Sequence, residues 1–155
     1  YLLFKSAEKW TESQKIRAGI LFKEYPDIQL ITEQHVPAEQ PINDAEEITA
    51  NLLTANPDKD SVTAIFAAWD EPAIGAAKAL AEAGRDEVIV TGVDGNEQAV
   101  QMIKDGSCLK ATVKQNFEGM ADIVCRQMEK YYAGETIEKG EMYAPAELIT
   151  QENAQ

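Results

Sequence analysis

Polar and aromatic side chains stand directly after several short apolar runs of this sequence. Trp69 and Asp70 follow "AIFAA", Asp94 follows "VIVTGV", and Gln115 follows "LKATVK". A carboxylate or an amide can bond two neighbouring hydroxyl groups at once, and an indole face packs against the C–H face of a sugar ring. These residue types therefore indicate a binding site for a neutral, polyhydroxylated ligand. Gln40, a little beyond another apolar run, adds one more amide.

Each of these residues also has a purely structural interpretation. Asp70 stands at a predicted helix start, which favours an N-cap role over ligand contact. Asp94 precedes a glycine, as turn residues do, although its place at a strand end favours ligand contact at least as much. Trp69 could instead pack under a loop, and His35 is predicted to be a solvated loop residue.

The sequence lacks the patterns of catalytic, cofactor and metal sites. It has one histidine, no Gly-x-Ser-x-Gly elbow and no glycine-rich loop followed by a lysine. Cys108 and Cys125 lack the spacing of zinc ligands, and their apolar neighbours predict two buried thiols rather than a disulfide. We therefore expect no enzyme activity, no cofactor and no metal.

The charge of the chain limits its partners. The 155 residues include 27 acidic and 14 basic ones, which gives a formal net charge of −13. Such a surface repels phosphate backbones and anionic lipids, so nucleic acid is not expected as a partner. The length is sufficient for one domain with a substantial core.

The elements that would position these residues follow from apolar runs that alternate with amphipathic stretches. Strands are predicted at 2–4, 28–32, 62–68, 87–93 and 109–114, and helices at 10–23, 41–57, 70–83, 96–104 and 117–133. Short strands that alternate with helices of about ten residues or more predict βαβ units and a mainly parallel sheet with both faces covered. The fold class is therefore α/β, with three αβα layers. The ligand site of such a sheet lies beyond the carboxyl ends of its strands.

The stretch "ANPDKDSVTAIFAAWDEPAIGAAKALAEAGRDEVIVTGVDGNEQAVQMIKDGSCLKATVKQ" resembles the C-terminal half of periplasmic sugar-binding proteins of the ribose/galactose type. The resemblance extends over roughly residues 10–149 and rests on the combination of "AIFAAWDEPAIGAAKALAEAG", "VTGVDGN", "IKDG" and "ATVKQ". It implies a Rossmann-like, doubly wound lobe, one of two lobes that enclose a sugar and deliver it to an ABC importer.

The resemblance also implies roles for individual residues. Asp94 matches an aspartate that bonds sugar hydroxyls, and Gln115 matches a hinge-side glutamine that contacts the ligand. Trp69 occupies a position that is an asparagine in ribose binders, which argues against ribose itself and fits stacking on a sugar ring, with Asp70 capping the helix behind it. Gln40 falls where an aromatic often stacks, and Gln14 lies near an arginine position that bonds hydroxyls.

Members of this family are about twice as long, so we expect this chain to be a fragment. Residues 1–115 would form most of the second lobe, residues 116–142 would belong to an absent first lobe, and residues 143–155 would be a return crossing and tail. The predicted helix at 117–133 would then expose an apolar face. Either the helix folds back on its own lobe or two chains cover this face in a swapped or face-to-face dimer, and we expect the dimer.

Three functions compete at this point. The first is solute binding for an ABC importer, with a simple sugar or polyol as ligand, a membrane permease as partner and the periplasm as location. The second is the effector-binding domain of a lactose-repressor-type transcription regulator, which shares the fold. The third, an enzyme of doubly wound fold, lacks a nucleophile–base pair or a phosphate loop in the sequence.

Overall fold

A computed structural model describes residues 19–20 and 23–154, together with the backbone of residues 2–5. The described strands are β1 (Leu2–Lys5), β2 (Thr32–His35), β3 (Ala64–Ala67), β4 (Ile89–Asp94), β5 (Leu109–Lys114) and β6 (Glu147–Thr150). They form one sheet in the order β2-β1-β3-β4-β5-β6, in which β1 to β5 are parallel and β6 is antiparallel to β5. The strand order reverses at β1, as in a doubly wound sheet.

The helices of the described part with defined ends are α1 (Pro41–Ala55), α2 (Asp70–Glu82), α3 (Glu97–Lys104) and α4 (Phe117–Tyr132). A proline near the first position of α1 fixes φ where no intrahelical N–H bond is needed. Asn96 and Asn116 cap α3 and α4, since their side-chain oxygens accept the N–H of Ala99 and Gly119 at 2.8 Å each. None of the described helices combines the length and apolarity that a membrane crossing needs.

The core lies between the sheet and helices α1 and α2. Its largest fully buried side chains include Ile65 of β3, Val90 of β4, Leu109 of β5 and Ile74 and Leu80 of α2. Helix α2 is rich in alanine, and most of its residues are buried because it packs on both α1 and β4. Burial of this apolar surface is the main stabilising contribution to the fold.

The α/β class with a doubly wound, mainly parallel sheet is confirmed, as are the strands predicted at 2–4, 62–68, 87–93 and 109–114, with shifts at their ends. Helices α1 to α4 begin within one residue of their predicted starts. Residues 19–20 and 23–24 are helical, and the rest of the helix predicted at 10–23 lies outside the described residues.

The strand predicted at 28–32 is wrong by four positions. The register places Thr32–His35 opposite Leu2–Lys5. The apolar residues Ile28, Leu30 and Ile31 therefore precede the strand, and they are exposed. Because β2 is an edge strand, its own residues are polar, and hydrophobicity pointed to the wrong segment.

One further prediction is corrected. Cys108 is buried but Cys125 is exposed, because α4 has no buried residue; both thiols are free. Gly75 lies where α2 packs on α1. A Cβ at Gly75 would collide with the backbone carbonyl of Ile42, so this glycine allows α2 to approach α1.

Candidate functional site

The candidate site lies at the carboxyl ends of the parallel strands. In doubly wound sheets, ligands bind in the crevice where the strand order reverses, which here lies between β1 and β3. Trp69 and Asp70 follow β3, Asp94 ends β4, and Gln115 follows β5. The structure therefore brings the predicted ligand residues Trp69, Asp94 and Gln115, together with Asp70, to one edge of the sheet, on the β3 to β5 side of the point of reversal.

Asp94 and Gln115 are in direct contact. The Gln115 Nε2 donates a short hydrogen bond to Asp94 Oδ1, and the Gln115 backbone N–H donates to the Asp94 carbonyl at 3.3 Å. Both side chains are half-buried. The pair thus presents carboxylate and amide oxygens as acceptors and amide N–H groups as donors within one small area, which is the set that vicinal hydroxyl groups can bond.

The local electrostatics favour a neutral ligand. Burial raises the pKa of Asp94, the Gln115 hydrogen bond lowers it, and the negative charge of Glu71 raises it further. Asp70 adds a third carboxylate nearby. A negatively charged ligand would be repelled here, whereas the hydroxyl groups of a neutral ligand can donate to these oxygens.

Asp70 does not have its predicted role. The residue at the N-cap position of α2 is Trp69, and Asp70 is the first residue of the helix, with a fully buried side chain. Its carboxylate turns away from its own helix and accepts the hydroxyl of Thr112 at 2.7 Å and the backbone N–H of Asn96 at 2.8 Å. Asp70 therefore connects α2 to β5 and to the turn after β4.

The surroundings of Asp70 shift its ionisation. Burial raises its pKa from 3.8 to about 6, against the opposing effect of the bonds from Thr112 and Asn96, and the charge of Asp94 raises it further. Desolvation outweighs the two bonds because water is excluded from a carboxylate with no cationic partner among these contacts.

The other predicted residues are less central. Trp69 is only 9% exposed and belongs to the core cluster, so only a small part of its indole ring is accessible to a ligand. Gln40 is exposed and accepts a bond from Asn43 at 3.3 Å. Gln14 lies outside the described residues. His35 is the exposed last residue of β2, rather than a loop residue.

Sequence reasoning missed Thr112 and the inward role of Asp70. Thr112 is fully buried, and its hydroxyl accepts the Gly95 N–H at 3.2 Å while it donates to Asp70. One signal was available, since Gly92 interrupts an otherwise β-branched strand. A Cβ there would collide with the Asp70 carboxylate, and a glycine inside a strand often marks such a close approach.

In the described part of the chain, no group of three or more His, Cys, Asp or Glu side chains is arranged to hold a metal ion. The geometry of the edge is that of a binding surface made of paired hydrogen-bonding groups.

Comparisons with known proteins identify the family of this chain. Residues 3–136 match the family described as periplasmic binding protein domain. The chain is 33% identical over 124 residues to the ribose import binding protein of Bacillus subtilis, an alignment that covers 80% of this chain and 38% of that protein. It is 36% identical over 106 residues to the D-allose-binding periplasmic protein of Escherichia coli, which covers 68% of this chain and 32% of the relative.

Solved structures give the same result. An ABC sugar transporter subunit from Rhodobacter sphaeroides superposes with a TM-score of 0.87 at 28% identity, over 97% of this chain and 56% of the other. A solute-binding protein from Actinobacillus succinogenes with bound D-allose superposes with a TM-score of 0.84 at 29% identity, over 99% of this chain and 53% of the other.

This chain thus spans about a third of the length of these curated relatives and about half that of the solved structures. The match to the family nevertheless extends through most of the chain and includes the strands and turns that carry the candidate site. The chain belongs to the periplasmic binding protein domain family.

Proposed function

We propose that this chain supplies one wall of a reversible binding site for a simple sugar or polyol. The observation that carries the proposal is the Asp94–Gln115 pair, a carboxylate and an amide in contact at the carboxyl edge of the sheet. The Asp94 oxygens accept ligand hydroxyls, the Gln115 amide donates or accepts beside them, and the edge of Trp69 contacts the C–H face of the ring.

The full-length protein is, in this proposal, the solute-binding component of an ABC importer. Support comes from relatives named as import binding proteins and from related structures with bound D-allose or allitol. These names favour transport over the effector-binding domain of a transcription regulator. The partners are then the sugar and a membrane permease, and the location is periplasmic or otherwise extracytoplasmic.

Binding without chemical conversion is part of the proposal. The family is one of binding proteins. The contacts at the edge also suit this role, because the Asp94–Gln115 pair and the Asp70–Thr112 pair each hold a carboxylate with a neutral donor. Such pairs orient a ligand by hydrogen bonds and supply neither an activated nucleophile nor a strong base.

We also propose a division of the chain between two lobes. Residues 1–115 form the lobe described above, residues 116–142 pack on a second lobe, and residues 143–155 return through β6. The exposed apolar side chains of α4 support this division. They include Phe117, Val124, Met128, Tyr131 and Tyr132, an apolar face of the kind that marks an interface.

The proposal is tested by calorimetric titration of the full-length protein with D-ribose, D-allose, allitol and myo-inositol. Asp94→Asn is the informative variant, because asparagine keeps the shape of aspartate without its charge and, like aspartate, is enriched among residues with positive φ, which is 124° at this position. Loss of a charge-assisted hydrogen bond should weaken binding by about 1.5–3 kcal/mol, roughly tenfold to a hundredfold.

Asp105→Asn is the matched control. Asp105 is an exposed carboxylate at the other end of α3, and its replacement should leave affinity unchanged. Absence of binding to every compound of the panel would contradict the proposed function. Equal affinity of the Asp94→Asn variant and the wild type would contradict the assignment of the site.

A further inference from the structure

We propose that Asp70 and Thr112 are positioning residues for ligand binding, which hold the turn of residues 94–96 so that the Asp94 carboxylate faces the ligand. This inference rests on the proposed function for the identity of the ligand. The contacts that carry it belong to the protein alone. Neither residue needs to touch the ligand, since both are fully buried beneath the site.

A hydrogen-bond network lies under the turn. The backbone N–H of Gly95 donates to the Thr112 hydroxyl at 3.2 Å, and the N–H of Asn96 donates to Asp70 Oδ2 at 2.8 Å. The Thr112 hydroxyl in turn donates to Asp70 Oδ1 at 2.7 Å. Side chains from β5 and α2 thus fix two consecutive backbone N–H groups. Each hydrogen bond of the network has a defined donor and acceptor.

The network holds the turn in an unusual backbone conformation. Asp94 has φ 124° and is the one described residue other than glycine with a positive φ. Gly95 follows with φ 74°. A residue other than glycine is strained in this region, and the conformation persists only where the surroundings enforce it. The bonds to Gly95 and Asn96 are the enforcing contacts, because they fix the next two residues of the turn.

Two glycines leave space for the network. A Cβ on Gly92 would collide with Asp70 Oδ1, and a Cβ on Gly95 would lie 2.6 Å from the Cβ of Lys114. Both glycines therefore make room, one for the buried carboxylate and the other for the turn against β5. A carboxylate that served only as a helix cap would not need a gap in the neighbouring strand.

The negative charge of Asp94, at the end of β4, raises the pKa of Asp70. The negative charge of Glu71, in the first turn of α2, raises the pKa of Asp94. Desolvation nevertheless dominates the pKa of Asp70, which lies at about 6. The amide proton of Asn96, bonded to this carboxylate, should therefore report its ionisation in an NMR titration.

The test compares Thr112→Val with Thr112→Ser in the full-length protein. Valine keeps the volume and removes the hydroxyl that links Asp70 to Gly95, whereas serine keeps the hydroxyl. Thr49→Val is the matched control, because Thr49 is also fully buried and its hydroxyl has no partner within the part of the chain that the structure describes. Amide hydrogen exchange at Gly95 and Asn96 and sugar affinity by calorimetry are measured for each variant.

We expect Thr112→Val to speed exchange of the Gly95 amide and to weaken sugar binding, each by about tenfold or more, the equivalent of one hydrogen bond. Thr112→Ser should be close to the wild type in both exchange rate and sugar affinity, and Thr49→Val should change neither quantity. In the wild type, the Asn96 amide shift should follow a titration near pH 6, and this step should vanish in Asp70→Asn, which tests the network without altering Thr112.

Unchanged exchange at Gly95 in Thr112→Val, or a missing titration at Asn96, would overturn the inference. Faster exchange without loss of affinity would also overturn it, since loosening the turn would then have no effect on ligand binding. If the wild type itself bound no sugar, the proposed function would fail. The exchange and titration data would still decide whether Asp70 and Thr112 hold the turn.

Discussion

Replacement of Asp70 by asparagine should remove a pH dependence of stability that the buried carboxylate creates. Asparagine has nearly the same shape and can still accept the N–H of Asn96, but it carries no charge to desolvate. Its amide must donate to Thr112 rather than accept from it, which rearranges the bond to that hydroxyl. This cost is independent of pH, so the comparison of interest is the slope with pH rather than the absolute stability.

The sign and the size of this change in stability with pH follow from the shift of the Asp70 pKa. The folded-state pKa of Asp70 is about 6, above the ordinary value of 3.8. A carboxyl group whose pKa is raised by folding stabilises the folded state fully below the lower value and loses this contribution as pH rises through the higher one. The full difference is about 3 kcal/mol, of which about 2 kcal/mol is lost between roughly pH 4.5 and 7.

The assay is urea denaturation of the chain and of its Asp70→Asn variant at intervals between pH 4.5 and 7.5. The free energy of unfolding of the variant should gain about 2 kcal/mol relative to the wild type as pH rises over this range. Asp105→Asn, with its exposed carboxylate, should give a profile parallel to the wild type. Parallel profiles for Asp70→Asn and the wild type would refute the account of Asp70 as a desolvated carboxylate.

Three further predictions concern other parts of the molecule. Trp69→Ala should weaken sugar binding by an amount comparable to Asp94→Asn and also lower stability by about 3 kcal/mol or more, since the indole is in the core; thermal denaturation beside calorimetry separates the two effects. His35→Gln should leave sugar affinity unchanged in calorimetry at a fixed pH, since His35 is exposed at the end of the edge strand β2; weaker binding by this variant would show that His35 contacts the ligand. The chain by itself should form a dimer through the exposed face of α4, with twice the 17.1 kDa mass of one chain in light scattering. Val124→Lys should shift the chain to a monomer. The chain by itself should bind sugar only in the millimolar range, which corresponds to a binding free energy of about −4 kcal/mol.

The sequence predicted the described helices well because their ends carry local signals. Pro41 opens α1, Asn96 and Asn116 accept N–H groups at the starts of α3 and α4, and the glycine at 84 follows α2 with φ 65°. These signals act within a few residues, so they can be found without the fold. The central strands were found for a similar reason, since burial on both faces makes them continuously apolar.

The strand β2 and the role of Asp70 were not predictable in this way. Which segment pairs with the edge of the sheet depends on the register with β1, and the exposed run Ile28–Ile31 is more apolar than the strand itself. The direction in which Asp70 points depends on Thr112, 42 residues away in the sequence. The sequence around an aspartate at a helix start does not distinguish an N-cap from a residue that is hydrogen-bonded to a distant strand.

The candidate site itself was predicted in part. The sequence placed Trp69, Asp94 and Gln115 at one edge because the carboxyl ends of parallel strands meet there, and the structure adds the contact between Asp94 and Gln115. That contact could not be foreseen, since it requires the unusual backbone of Asp94 and the pairing of β4 with β5. The burial of Trp69 likewise depends on how α2 packs.

The most direct test of the central claim is a crystal structure of the full-length protein with the sugar that binds most tightly in the titration panel. The account predicts a ligand at the carboxyl edge of the sheet, with hydroxyl oxygens about 2.6–3.2 Å from the Asp94 carboxylate and the Gln115 amide. It also predicts that the Thr112–Asp70 and Asn96–Asp70 bonds persist in the complex. A sugar bound elsewhere, with no oxygen in hydrogen-bond reach of Asp94, would contradict it.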